Sequence, residues 1–258
     1  ALTPVDFGDV CVNVDDAWFE DQGVEPPRAL EDLTEPRYRD LFVTPGATTS
    51  SPGLAFLLAT IAEFGEDGWQ EYWTELMANG TRVTAGWTDA YTVDFTAGGG
   101  GGDRPIVLSY ASSPPFTIPE GADEPTTSAL LDTCFRQVEY AGVLDGAANP
   151  EGARALVDFM LSESFQEALP ENMYVFPVDD QAELPPLCVV PSLLRPPADF
   201  LPHGPCQLGV ILLHQRPEPR EARRASADDR CRPDDERQHA LQLLAHPPAP
   251  AIGGMFAM

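Results

Sequence analysis

The sequence predicts an α/β lobe, because short apolar strands alternate with amphipathic helices, glycine and proline punctuate the joins, and aromatic residues are concentrated in the first 186 positions. Val10-Cys11-Val12-Asn13-Val14 alternates like a half-buried strand, and Leu41-Phe42-Val43 gives a second. Ser51 reads as a helix cap with Pro52 in the first turn, and the apolar run Leu54 to Phe64 closes at Gly65. A further helix is predicted from about Asp67 to Ala78, where Trp69, Tyr72, Trp73, Leu76 and Met77 make a core-facing stripe. A strand follows near Thr81 to Thr84, then a Gly86-Trp87 turn, a short helix and a strand over Pro105 to Tyr110. Asn149 caps a helix that begins with Pro150 and carries Ala155, Leu156, Phe159 and Met160, and Ser162 opens another.

Composition excludes several function classes. The net charge is −26 and the pI is about 4.2, a field that repels nucleic-acid backbones and anionic lipid surfaces. All 15 basic residues are arginine, so no lysine is present for a Walker-type phosphate loop, a Schiff base or a general base. The five-glycine run from Gly98 to Gly102 therefore reads as a flexible loop. No 18-residue apolar stretch predicts a membrane span, and no charged start, apolar run and small-residue cleavage site marks a signal segment. The opening residues read like the middle of a domain, so the expectation is that a start is missing.

The two parts of the chain differ. Residues 1–186 hold 7 arginines and 33 acids, whereas residues 187–258 hold 8 of each. That second part contains all four histidines, three of the five cysteines, eleven prolines and only two of 23 aromatics. Such a segment cannot assemble a core of its own, so residues 187–258 are expected to be a disordered or frameshifted tail. Its histidine and cysteine spacings do not form a metal-ligand pattern, and no cofactor is called for elsewhere.

Three segments place polar and aromatic residues where a core does not need them. Thr49-Ser50-Ser51-Pro52-Gly53 stands at a helix start, where unpaired N–H groups and the helix dipole favour an anion; a simple Ser-Pro cap is the alternative reading. Gly86-Trp87-Thr88-Asp89-Ala90-Tyr91 puts a tryptophan at a strand-to-helix turn, either to stack on a heterocycle or cation or to pack the lobe edge. Ser109-Tyr110-Ala111-Ser112-Ser113-Pro114-Pro115 follows the carboxyl end of a strand, where open α/β sheets place ligands. Residues 1–186 contain no histidine, so no Ser-His or Cys-His pair can form there, and an enzyme is not expected.

Taken together and in order, these three segments resemble the thiamine-binding proteins of ABC importers, members of the type II solute-binding proteins. Asp6-Phe7-Gly8 leading into Val10 to Val14 resembles their inter-lobe crossover strand, Pro26 to Asp40 their linker, and Pro170 to Val178 their return segment. The resemblance implies a periplasmic-binding-protein-like fold represented mainly by its second lobe. Residues 1–15 would be the crossover strand and a remnant of the first lobe, and residues 16–186 the α/β lobe with a return segment near 170–178. About a hundred residues of the first lobe and a Trp-containing final helix would be lacking.

It further implies a non-enzymatic, extracytoplasmic capture protein, periplasmic or lipid-anchored, that delivers thiamine, its monophosphate or its diphosphate to a permease. Ser50 and Ser51 would hold the phosphate or hydroxyethyl end. Trp87, Tyr110, Ala111, Ser112 and Ser113 would complete the site, with Tyr174 where the family often has tryptophan. In an oxidising compartment Cys11 and Cys134 would form a disulfide, the other reading being two separate buried thiols. The competing functions are a thiaminase-like enzyme with a cysteine nucleophile, and a binder of ferric ion or a polyamine. Ferric sites want clustered tyrosines, and no adjacent pair occurs.

Overall fold

The computed structural model describes residues 1–184 and the backbone of Gly209–Ile211. Its organising element is β1 (Thr3–Asp15), a 13-residue strand with partners along both edges. On one edge β4 (Ile106–Tyr110) pairs antiparallel with residues 10–14 and β7 (Phe176–Pro177) with residues 6–7. On the other, β6 (Phe135–Ala141) pairs antiparallel with residues 3–10 and β5 (Thr127–Ala129) with residues 13–15. Between those two, the Val12 N–H is satisfied by the Thr133 hydroxyl at 3.0 Å. The path through the sheet is β3-β2-β4-β1-β6-β8, in which β2 (Phe42–Pro45) runs parallel to β3 (Arg82–Thr84) and to β4, and β8 is Gly209–Ile211.

The expectation of a half-buried strand at Val10 to Val14 is corrected: residues 8–15 are all buried. Alternation normally marks one wet face, but β1 is central and both its faces are covered. β1 leads into the short helix α1 (Asp16–Gln22), and over the face carrying Val10, Val12 and Val14 lies α2 (Ser51–Ala78), contributing Phe56, Tyr72 and Leu76. Each such side chain stabilises the fold by roughly 1.5–3 kcal/mol when buried. The helix breaks at Gly65 (φ 70°), where the sequence places a boundary. Ser50, not Ser51, is the cap residue, and neither hydroxyl closes a capping bond. Of the predicted stripe, Tyr72 and Leu76 are buried, whereas Met77 is exposed. The segment before β2 is tied down by side chains: Tyr72 Oη donates to the Leu30 carbonyl at 2.8 Å, and Asn79 Nδ2 to those of Leu33 and Glu35.

The second face carries Val43, Val107, Ala90, Tyr91 and Phe95. Asp89–Asp94 forms a π-helical turn there. The glycine run lies against its backbone, correcting the reading of a merely flexible loop: a Cβ at Gly98, Gly100 or Gly102 would collide with the carbonyls of Tyr91, Thr92 and Asp94. Cys11 and Cys134 are joined in a disulfide with their Cα atoms 4.2 Å apart. The register explains the meeting, because Val10 pairs with Phe135 and one step further places Cys134 beside Cys11.

After β6 come α3 (Pro150–Met160), capped by the Asn149 carboxamide accepting from Gly152 N at 2.9 Å, and α4 (Glu163–Met173). Gln166 on α4 is fully buried and bridges elements, donating to the Val5 carbonyl and accepting from Val178 N, each at 2.8 Å. The expected tail lies outside the described residues except for β8 (Gly209–Ile211), which pairs parallel with β6. Among the described residues no helix is long and apolar enough to cross a membrane.

Candidate functional site

Parallel strands end together. The carboxyl ends of β2, β3 and β4 therefore bring the Ser50-Ser51, Trp87 and Tyr110 to Ser113 segments to one edge of the sheet. Gly53 lets α2 start close to that edge: a Cβ there would lie 2.6 Å from the Gly46 carbonyl oxygen and closer still to that of Pro45. Ser50 and Ser51 are half-buried, and no side-chain hydrogen bond occupies their hydroxyls.

Trp87 is the centre of an aromatic wall. Its indole lies nearly parallel to the Tyr91 ring, with centroids 4.7 Å apart and planes 12° from each other. Tyr174 stands 5.3 Å from Trp87, Tyr110 stands 6.5 Å away, and Phe116 lies 4.3 Å from Tyr174. Tyr91 and Tyr110 are buried, whereas Trp87, Tyr174 and Phe116 are partly open. The first pair thus backs the second. Strand pairing explains why residue 174 arrives here: β4 and β7 occupy successive stretches of one edge of β1, so the chain entering β7 passes the end of β4. Tyr174 itself adopts a left-handed backbone (φ 59°) as it leaves α4.

The serines hold this wall. Trp87 Nε1 donates to Ser109 Oγ at 3.0 Å, and Ser109 Oγ lies 2.7 Å from Ser113 Oγ. Indole can only donate, so Ser109 Oγ is the acceptor of that bond, and the two hydroxyls share the hydrogen bond between them. Ser113 Oγ also accepts from Tyr110 N at 3.2 Å, and Ser112 Oγ donates to the Tyr174 carbonyl. Ala111, Ser112 and Ser113 are all buried; the two serines hold the wall, Ala111 packs with Cys11 and Phe176, and Ser50 and Ser51 keep their hydroxyls free.

Burial pushes the Tyr91, Tyr110 and Tyr174 phenols up from their ordinary range, which keeps them neutral. Tyr91 Oη is buried with no hydrogen-bond partner. Tyr91 and Phe116 escaped the sequence reading, although Tyr91 sits four residues after Trp87 on one helical turn. Beyond Tyr110, Asp6, Gln137 and Glu139 gather around its hydroxyl end. Gly8 makes room for that ring, since a Cβ there would lie 2.8 Å from Tyr110 Cδ1.

A sheet of this order, with an aromatic and hydroxyl-bearing wall at its carboxyl edge, is a lobe of the type II solute-binding fold. Residues 1–107 match the family model described as bacterial extracellular solute-binding protein. The resemblance to thiamine-binding proteins holds across relatives. The thiamine-binding periplasmic protein of Salmonella typhimurium is 32% identical over 158 residues, covering 61% of this chain and 46% of that one. Its Brucella suis counterpart is 31% identical over 178 residues, covering 68% and 50%. A solved structure described as a periplasmic thiamin binding protein superposes with a TM-score of 0.58 at 29% identity, covering 72% of this chain and 55% of that one. The periplasmic binding protein P5PA also gives 0.58, at 18% identity, which speaks to the fold alone. The chain spans about half the length of the relatives it matches.

Proposed function

We propose that this chain supplies one wall of an extracytoplasmic capture site for thiamine or a thiamine phosphate, as the substrate-binding component of an ABC importer. The observation that carries the reading is the converging set of Trp87, Tyr174 and Phe116 faces backed by Tyr91 and Tyr110. A flat cationic heterocycle is the natural complement of such electron-rich faces, each good contact being worth about 0.5–2 kcal/mol. Ser50 and Ser51, with free hydroxyls at the start of a long helix, would take the hydroxyethyl or phosphate end. The lobe would comprise residues 16–186 with residues 170–178 as its return segment, and the permease would be the partner.

The cysteine-nucleophile alternative is disfavoured, because Cys11 and Cys134 are bonded to each other and Cys11 is fully buried. A ferric site would need phenolates, and burial works against ionising Tyr91, Tyr110 and Tyr174. Calorimetric titration with thiamine, its monophosphate and its diphosphate tests the proposal. The expected result is saturable binding of at least one, with a rank order showing whether the phosphate contributes. No heat of binding with any of the three, from chain that melts cooperatively, would overturn it.

A further inference from the structure

The hydroxyl end of Tyr110 faces a cluster that the ligand wall itself does not use. Asp6 on β1 lies directly opposite Glu139 on β6 in the antiparallel register, so the two carboxyl groups project from the same face as neighbours. Gln137, two residues before Glu139 on the same face, donates its amide to Glu139 Oε1. Asp6 and Gln137 are 5% and 2% exposed, and Asp6 Oδ1 and Gln137 Oε1 lack any partner in an arrangement with both acids ionised. Three acceptor groups are therefore crowded together with one amide donor among them. Leaving two buried oxygens unmatched is costly, and leaving two carboxylates side by side without a cation is costlier.

Among the described residues no cation neighbours the cluster. Arg136 is on the opposite face, held by Asp9 through two contacts of 2.8 Å and lying over the Phe7 ring. On α2, Glu63, Glu66, Asp67, Glu71 and Glu75 are exposed acids, and α4 adds only Glu163, Glu167 and Glu171. From β4 the facing group is the Tyr110 phenol, and β7 offers only Phe176 and Pro177. Among the described residues, then, one retained proton is what reconciles the cluster. With Asp6 protonated, its hydroxyl would donate to Glu139 alongside Gln137 Nε2, and Gln137 Oε1 would be left for the Tyr110 hydroxyl.

We propose that Asp6, Gln137 and Glu139 form a one-proton positioning cluster that fixes Tyr110 against the ligand wall and releases it when that proton is lost. This rests on Tyr110 being part of the ligand site. Burial first, and then the neighbouring Glu139 charge and hydrogen bond, pushes Asp6 up to about 7; burial likewise raises Glu139. A carboxyl whose folded value is raised favours the fold when protonated. Its contribution is complete below about pH 4 and is lost as pH rises to about 7.

The test compares the chain with Asp6→Asn, whose amide donates to Glu139 at every pH. Between pH 5 and 8 the wild-type Tm should fall by roughly 5–10 °C more than that of the variant, acids common to both cancelling in the difference. In the unmodified chain, carboxyl carbon NMR should find one aspartate titrating near 7, and the Tyr110 ring resonances should move with the same midpoint. Thiamine affinity should fall about tenfold over that range in the wild type and stay level in Asp6→Asn. Parallel melting curves, or no aspartate titrating above the ordinary range, would overturn the cluster. A titrating aspartate with stationary Tyr110 resonances would overturn the positioning role. The melting and NMR readouts need no ligand, so a failure of thiamine to bind removes the proposed function while they still decide the cluster.

Discussion

The two ends of Tyr110 meet surroundings of opposite character. At the ring, the Trp87 wall is almost fully reconciled: the indole N–H has Ser109, Ser109 has Ser113, and Ser112 has the Tyr174 carbonyl. At the hydroxyl, Asp6 and Gln137 present oxygens without donors. Both regions contain buried polar groups and draw on neighbouring strands, so burial alone does not separate them. What separates them is donor supply. The wall is made of groups that can give as well as take a hydrogen bond, whereas the cluster is made almost wholly of acceptors. In the first, only the Tyr91 hydroxyl is buried without a partner. The second needs a proton, which couples it to pH.

The largest expected effect comes from the bond that holds both regions to one strand. Reducing the Cys11–Cys134 disulfide opens a loop with a sequence separation of 123, for which chain entropy gives about 4–5 kcal/mol. Tryptophan fluorescence and far-UV dichroism should then lose their transitions together at lower temperature. If only one signal shifts, the two regions are separate folding units and the comparison fails.

Next is Gly8→Ala, whose new methyl must displace the Tyr110 ring and should cost roughly 1–3 kcal/mol of stability, as overpacked sites do. Because the ring spans both regions, thiamine affinity and the pH midpoint should change in the same variant. A melting point matching wild type would show that the ring has slack and links nothing.

Trp87→Ala should weaken thiamine binding by about 1–3 kcal/mol through lost stacking and cation–π contact, while the pH midpoint of the cluster stays where it is. Calorimetry at pH 5 and 8 checks both statements, and a shifted midpoint would mean the regions are not distinct. The smallest effect is expected from Ser109→Ala, which strands the half-exposed Trp87 N–H and should cost about 1 kcal/mol of stability. An unchanged melting point would show that water replaces the serine.

Much of the lobe was legible in local sequence. The Gly65 break, the Asn149 cap and the starts of β2 and β4 follow from turn chemistry and periodicity confined to a few residues. The wall was legible in part, because Trp87 and Tyr110 follow strand ends and polar companions mark them. Tyr91 closes the same segment as Trp87 but carries no polar companion to single it out, and Phe116 follows Pro-Pro without one. The Asp6–Glu139 pairing was illegible for a different reason. It depends on a register linking positions 133 residues apart, and neither residue is unusual within its own strand. The same distance problem made β1 look half-buried when it is central.

The most direct test of the ligand site is to observe which rings thiamine touches. Intermolecular NOEs, recorded at pH 5 on chain with labelled aromatic residues, would report the contacts of the pyrimidine methyl and thiazolium protons. The account predicts NOEs to Trp87 and Tyr174, and their loss in Trp87→Ala. NOEs confined to aromatic residues remote from this edge, such as Trp18 or Trp69, would contradict it.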